Sequence, residues 1–457
     1  MGWNHRKKTI VTFLALAISS TISFVSVPIL VSYFGTEQYG LFSLVGDTLA
    51  YLALANLGVP NAVVTAFANI HSSDARKQLV KNGLIISIMV ALILCLFLFL
   101  VIIKPELIFI ILGKIPESIA QLVTNFFIVS IFFFIIQFPL SMYSQLLVYT
   151  GHIHIVKIIN IVTSIFILPV LFIVIFFKLS VVSFVFINGL VGFISALFLT
   201  FIFYRILLKD GCDINYSSSE QEQITIKKIL SKSYFYFINA IAGLLIMNTD
   251  NLVISHNLGL AEVAQYAVAN KIVLLIISMM VQYITIFVAD FPKYKESPQK
   301  VISVVKQLSY KFCIASSIIA IAISIFLVPI IKIWTHNNIV ISSDLALCFS
   351  FYILCVGVSQ VPYYFLYSLD MVRYFYKFAI LEGIINLVLS LVLVKFYGIV
   401  GVIFATFIAH FCCSTIIVNY LCVKSFSEVF TRKHMIKLVT IFLSSSTLLI
   451  IIFCLMK

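Results

Sequence analysis

The sequence predicts an all-α polytopic membrane protein: two six-helix bundles in parallel repeat, with an extra helix at the C-terminus. Three observations carry that expectation. First, 62% of the 457 residues are hydrophobic and only 10% are charged, with a mean hydropathy of +1.16. Soluble domains carry about 25% charged residues, so this chain cannot cover a water-facing surface of ordinary size. Second, uncharged apolar runs recur that are long enough to cross a hydrocarbon core of about 30 Å as helices, and they lack the period-two alternation of a membrane β-barrel. Third, Lys and Arg concentrate on alternate connections.

The elements follow in order. Span 1 covers 9–34; it is too long for a signal-peptide core and no small-residue cleavage site follows, so it is expected to remain as an anchor. The run "YFGTEQYGLF" (33–42) then breaks the apolar pattern for four residues. It reads as an outer hairpin tip, with Tyr33 and Tyr39 as interfacial anchors. Span 2 (39–68) carries Asp47, and the basic residues Arg76, Lys77 and Lys81 precede span 3 (82–103). Spans 4 (121–148), 5 (155–177) and 6 (181–204) complete the first set. A polar stretch at 205–233 reads as a cytoplasmic linker, and spans 7 to 12 fall at 234–257, 262–290, 308–331, 345–368, 376–396 and 398–422. A tail from 423 to 457 holds a thirteenth run at 436–455. The domains expected are therefore 1–204, the linker 205–233, 234–422 and the tail 423–457.

With the N-terminus in the cytoplasm, 23 of the 30 basic residues lie on the cytoplasmic side, six lie outside, and Lys271 falls inside span 8. The net charge of +13 is thereby explained as topology and contact with anionic membrane lipid. The charges are spread over separate loops, so nucleic acid is not an expected partner. The cysteines at 95, 313, 348, 355, 412, 413 and 454 sit within apolar runs and read as small hydrophobes without metal-ligand spacing.

The halves resemble one another. Leu258-Gly259 matches Phe34-Gly35, and Gln265-Tyr266-Ala267 matches Gln38-Tyr39-Gly40. Gln360-Val361-Pro362 in span 10 matches Gln137-Phe138-Pro139 in span 4. Six spans per half give both halves the same orientation, a parallel repeat suited to alternating access. Pro139 and Pro362, at matching positions, are the hinge candidates, because proline removes a helix hydrogen bond and permits a kink.

Three stretches carry a resemblance. "VPILVSYFGTEQYGLFSL" with "YLALANLGV" is similar to spans 1 and 2 of the polysaccharide (O-antigen or repeat-unit) flippases of Wzx type, in the MOP superfamily, which has a MATE-like fold. "NTDNLVISHNLGLAEVAQYAVANKI" resembles that family's spans 7 and 8, and "YGIVGVIFATFIA" its entry to span 12. The resemblance implies transport of undecaprenyl-diphosphate-linked oligosaccharide repeat units across the bacterial cytoplasmic membrane. It further implies a coupling ion (proton or sodium), no cofactor, and polysaccharide polymerase and chain-length proteins as partners. The alternatives are a cation-coupled drug exporter of the same superfamily, a lipid II flippase, which typically shows a more strongly cationic lumen than one lysine supplies, and, with less support, a membrane glycosyltransferase or polymerase.

Ionisable residues inside spans are costly and mark functional candidates. Lys271 stands about 13 Å inside the outer end of span 8 at 1.5 Å per residue. It is a substrate-binding candidate toward an anionic diphosphate, or else a structural partner of Asp250 in span 7. Asp250 and Asp47 are candidates both for lining the substrate cavity and for binding the coupling ion, with Asp47 expected opposite Lys271. Glu382 lies near the cytoplasmic end of span 11 and is expected to snorkel to water. No paired carboxylates, Gly-rich phosphate loop or nucleophile–base pair is recognisable, so the chain reads as a transporter and not an enzyme.

Overall fold

The computed structural model describes residues 5–56, 60, 63–64, 67, 73–209, 237, 240–288, 291, 297–369 and 371–456. The described residues form fifteen α-helices, joined by short 3₁₀ and π segments and turns. Ten helical stretches among them are long and apolar enough to cross a membrane. Leu96 (65% exposed), Phe172 (69%) and Leu455 (81%) stand among many outward-facing apolar side chains. Apolar surface on this scale suits lipid and would be an aggregation hazard in water. The chain is a multi-pass membrane protein.

The chain divides into two compact units, Met1–Ala240 and Ile241–Lys457. In the first, the helices are α1 (His5–Phe34), α2 (Thr36–Leu52), α3 (Ser73–Ile103), α4 (Glu106–Leu112), α5 (Ala120–Gln137), α6 (Ser141–Leu147), α7 (Ile153–Phe176) and α8 (Val181–Lys209). Gly35 makes the turn between α1 and α2 with φ 88°, a value that side-chain-bearing residues rarely adopt. Its N–H bonds Val31 O at 3.0 Å, and Tyr39 N–H returns to Gly35 O at 3.2 Å. The four-residue polar break is thus a tight cap, with Glu37 in the first turn of α2, where a carboxylate complements the helix dipole. The tyrosines flanking it are not both interfacial anchors. Tyr39 is buried, at 4% exposure. Tyr33 is tied down through its hydroxyl, which donates to Val174 O (3.3 Å) and Leu179 O (3.2 Å).

Span 4 is not one helix. The segment 138–140 forms a turn between α5 and α6, and a π segment, Val148–His152, leads into α7 with Gly151 at φ 83°. The core of this unit gathers Val63, Phe67, Leu79, Met142, Tyr143, Leu146 and Phe203. Of the expected linker 205–233, residues 205–209 continue α8, and 210–233 lie outside the described residues.

In the second unit residues 241–247 are helical. After them come α9 (Thr249–Asn257), α10 (Leu260–Val288), α11 (Pro298–Trp334), α12 (Ser343–Ser368), α13 (Val372–His410), α14 (Val418–Ser425) and α15 (Arg432–Met456). Gly259 closes α9 with φ 130° as Gly35 closes α1. Spans 11 and 12 form a hairpin within α13, reversed at Gly398, where φ 58° and ψ −139° are non-helical. A π segment, Phe411–Ile417, follows and passes into α14. The thirteenth span is α15, which packs on α11 and α12. The core of this unit joins α10, α11, α12 and α14 through Ile284, Leu308, Phe312, Val361, Phe365 and Cys422.

Candidate functional site

The polar side chains of the C-terminal unit assemble around the α13 hairpin. Before Gly398, Glu382, Asn386 and Ser390 recur every fourth residue on one helical face. After it, Thr406, His410 and Ser414 do the same, the last inside the π segment. The hairpin lays these two stripes together in antiparallel register, so that Asn386 meets Thr406 and Glu382 meets His410.

Asp250 enters this seam from α9. The helix leading to it is interrupted at Asn248 (φ −124°, ψ 0°), and Asp250 falls in the first turn after the break. It is buried at 5% exposure. The Tyr266 hydroxyl from α10 donates to Oδ2. Thr406 Oγ1 donates to the same oxygen at 3.1 Å, and Asn386 Nδ2 donates to Oδ1 at 3.3 Å. Thr406 also faces Asn386 Oδ1 (3.1 Å) and Val402 O (3.2 Å), and Ser390 Oγ reaches Asn386 Oδ1 (3.3 Å). Hydroxyl and amide donors from α10 and from both arms of α13 thus converge on the one carboxylate of α9. Among the described residues no group of three or more His, Cys, Asp and Glu side chains could hold a metal.

The repeat makes Asp250 distinctive. It precedes Gly259 by nine residues, and the residue nine before Gly35 is Ser26. Ser26 is buried too, but its hydroxyl donates to Ser23 O of its own helix, at 2.9 Å. The N-terminal unit thus carries a hydroxyl where the C-terminal unit carries the acid.

Lys271 lies on α10, half-buried, and among the described residues no ion pair joins it to Asp250, whose oxygens face Tyr266, Thr406 and Asn386. The structural pairing considered for these two residues is therefore not formed. Asp47 lies on α2 of the other unit, also half-buried. The hinge candidates differ from each other. Pro139 sits in the turn that ends α5, whereas Pro362 lies inside an unbroken α12.

Glu382 does not snorkel. It is buried at 3% exposure, accepts from His410 Nδ1 at 2.8 Å, and accepts from the Ser414 hydroxyl. A carboxylate inside a membrane helix is held by whatever polar partner the fold supplies, and here the hairpin supplies two. His410 Nε2 lies 3.0 Å from Ser359 Oγ on α12, and the Tyr352 ring packs edge-on against the imidazole at 5.3 Å between centroids. Neither His410 nor Asn386 stands out in the sequence as a candidate. The two four-residue periodicities flanking Gly398 were the signal that pairs them with Glu382 and Asp250.

A structure titled "Lipid II flippase MurJ, inward closed conformation" superposes with a TM-score of 0.70 at 15% identity, over 98% of this chain and 97% of that one. An inward-facing multidrug resistance MATE family transporter of the MOP superfamily gives 0.70 at 14% identity, over 94% and 98%. The MATE multidrug transporter DinF-BH in complex with R6G gives 0.64 at 15% identity, over 93% and 96%. At such identities the likeness is one of fold. A comparison with curated proteins finds no match. A family model described as polysaccharide biosynthesis protein matches residues 5–293, well over half of the chain. The chain therefore belongs to the polysaccharide biosynthesis protein family, and it has the all-α membrane fold shared by MurJ and the MATE transporters.

Proposed function

We propose that this chain is a flippase that moves an undecaprenyl-diphosphate-linked oligosaccharide across the bacterial cytoplasmic membrane, by alternating access, for surface polysaccharide assembly. The observation that carries the reading is membership of a polysaccharide biosynthesis family by a chain whose fold is that of transporters. The neighbour titled as a lipid II flippase makes a lipid-linked substrate the favoured cargo. On this reading the N-terminus is cytoplasmic, residues 1–204 and 234–422 form the two bundles of the repeat, and 205–233 links them.

Lys271 is the group that meets the diphosphate. It carries a positive charge within a span and has no ion pair with Asp250 to consume it. A lysine serves there as a flexible point charge toward phosphate. Asp250 and Asp47 are the coupling-ion candidates, for a proton or sodium. Pro139 and Pro362 are the hinge candidates. Polymerase and chain-length proteins are the expected partners.

Deleting the gene tests the reading. Surface polysaccharide should disappear while lipid-linked repeat units accumulate on the inner leaflet. The drug-exporter alternative, suggested by the MATE neighbours, prevails if polysaccharide persists and only drug sensitivity rises.

A further inference from the structure

We propose that His410, held between Glu382 and Ser359, is a proton-binding site of the C-terminal unit and that its loading takes part in the transport cycle. The second half of the statement rests on the transporter reading above.

The hydrogen bonding around the imidazole accommodates both of its protonation states. Glu382 Oε1 accepts from Nδ1 at 2.8 Å, while Ser414 donates to the other carboxylate oxygen. That fixes the Nδ1 proton and leaves Nε2 as the position that changes. Nε2 faces Ser359 Oγ at 3.0 Å, and the same oxygen lies 3.3 Å from Val356 O. With Nε2 protonated, it donates to Ser359 Oγ and the serine proton goes to Val356 O. With Nε2 bare, the serine hydroxyl turns and donates to it. One hydroxyl rotation therefore exchanges the two states, and neither leaves a ring nitrogen unpaired, the condition that makes buried polar groups expensive. The positive charge of the loaded ring is matched by the carboxylate beside it.

The titratable groups nearest this pair on α12 and in the π segment are phenols and thiols. Tyr352 of α12 packs on the imidazole, and Cys355 and Tyr363 of α12 and Cys413 of the π segment lie within electrostatic reach of Glu382. Asp250 lies within electrostatic reach of Tyr352, with its own three donors. The site has mechanical contact with the transport fold on two sides. Ser359 stands three residues before Pro362 on α12, and Ser414 lies in the π segment, a departure from α-helix often found at functional positions.

The test uses the full chain reconstituted in phospholipid vesicles, followed by pH-difference infrared spectroscopy over about pH 5 to 8. The wild type should show one reversible imidazole protonation that is absent from His410→Gln. Ser359→Ala, which keeps the Glu382–His410 contact, should bind that proton about tenfold more weakly, since a hydrogen bond to a charged donor is lost. Helix content and gel-filtration profile confirm folding of each variant. Superimposable wild-type and His410→Gln titrations, or an unmoved titration in Ser359→Ala, would overturn the site. In cells, His410→Gln should stop surface polysaccharide export at normal protein abundance; unaltered export would overturn its part in transport. The vesicle titration stands whether or not the substrate reading survives, so the two failures are told apart.

Discussion

Gly401→Ala is the sharpest test of the hairpin that organises the polar seam. A methyl at Gly401 would lie 2.3 Å from Leu393 O and 2.6 Å from Leu393 C, on the opposing arm of the turn. Carbon atoms rest at about 3.5–4.0 Å, so the arms must part by roughly 1 Å. Backbone atoms cannot swing away as a side-chain tip would. Carried along the seam, that opening lengthens the Thr406–Asn386 contact from 3.1 Å and the His410–Glu382 contact from 2.8 Å. Beyond about 3.6 Å neither counts as a hydrogen bond. One neutral bond and one to a charged group are worth about 2–4 kcal/mol together. The gain in helix propensity from Gly to Ala returns at most about 1 kcal/mol, leaving a net loss of about 1–3 kcal/mol. At about 2–4 °C per kcal/mol for a body of 150–250 residues, the midpoint should fall by roughly 2–12 °C. The assay is thermal unfolding in detergent followed by gel filtration. Gly46→Ala is the control, because nothing lies within 4 Å of a methyl added there. If both variants melt with the wild type, the hairpin is not held as described.

Asp250→Ala should strand the Tyr266 hydroxyl and the Asn386 amide and cost about 2–4 kcal/mol, while Tyr266→Phe should cost about half that, read by the same melting assay. Gly357→Ala would place a methyl 1.9 Å from Ser316 Oγ and 2.2 Å from Ser316 Cβ, between α11 and α12. It should lower the melting midpoint, and adding Ser316→Gly should recover most of the loss. Lys271→Met should leave protein abundance unchanged, because no ion pair with Asp250 is broken, while export falls; Lys271→Arg should keep partial export. Immunoblotting and surface-polysaccharide staining measure the two effects, and reduced abundance of Lys271→Met would count against the absence of structural pairing.

Hydropathy made the membrane helices legible, because a lipid-facing helix must be apolar along its whole length whatever its neighbours are. The Gly35 and Gly259 turns were legible for a similar local reason: their positive φ angles confine the choice to glycine. Tyr39 was misread, since an aromatic residue beside a hairpin tip satisfies the interfacial rule, and only packing shows that the chain buries it. Glu382 was misread because its partner is 28 residues away and the register between them is set by the Gly398 turn. Pro139 and Pro362 share a sequence motif yet differ in outcome, a turn in one and an intact helix in the other. The motif specifies a missing donor at each place, and the neighbouring helices decide whether the backbone bends.

The π segment at Phe411–Ile417 is a stored slip of thread. A π turn holds one residue more than an α turn, and an α-helix advances about 1.5 Å and turns about 100° for each residue. Tightening the segment to α geometry would therefore screw α14 along its own axis by one such step, without breaking the helix. Cys422, whose thiol now points to the Pro362 carbonyl at 3.8 Å, would rotate off α12, and Ser414 would leave Glu382. A helix built this way can change which face it shows its neighbours while its ends stay at the same depth to within a couple of ångströms.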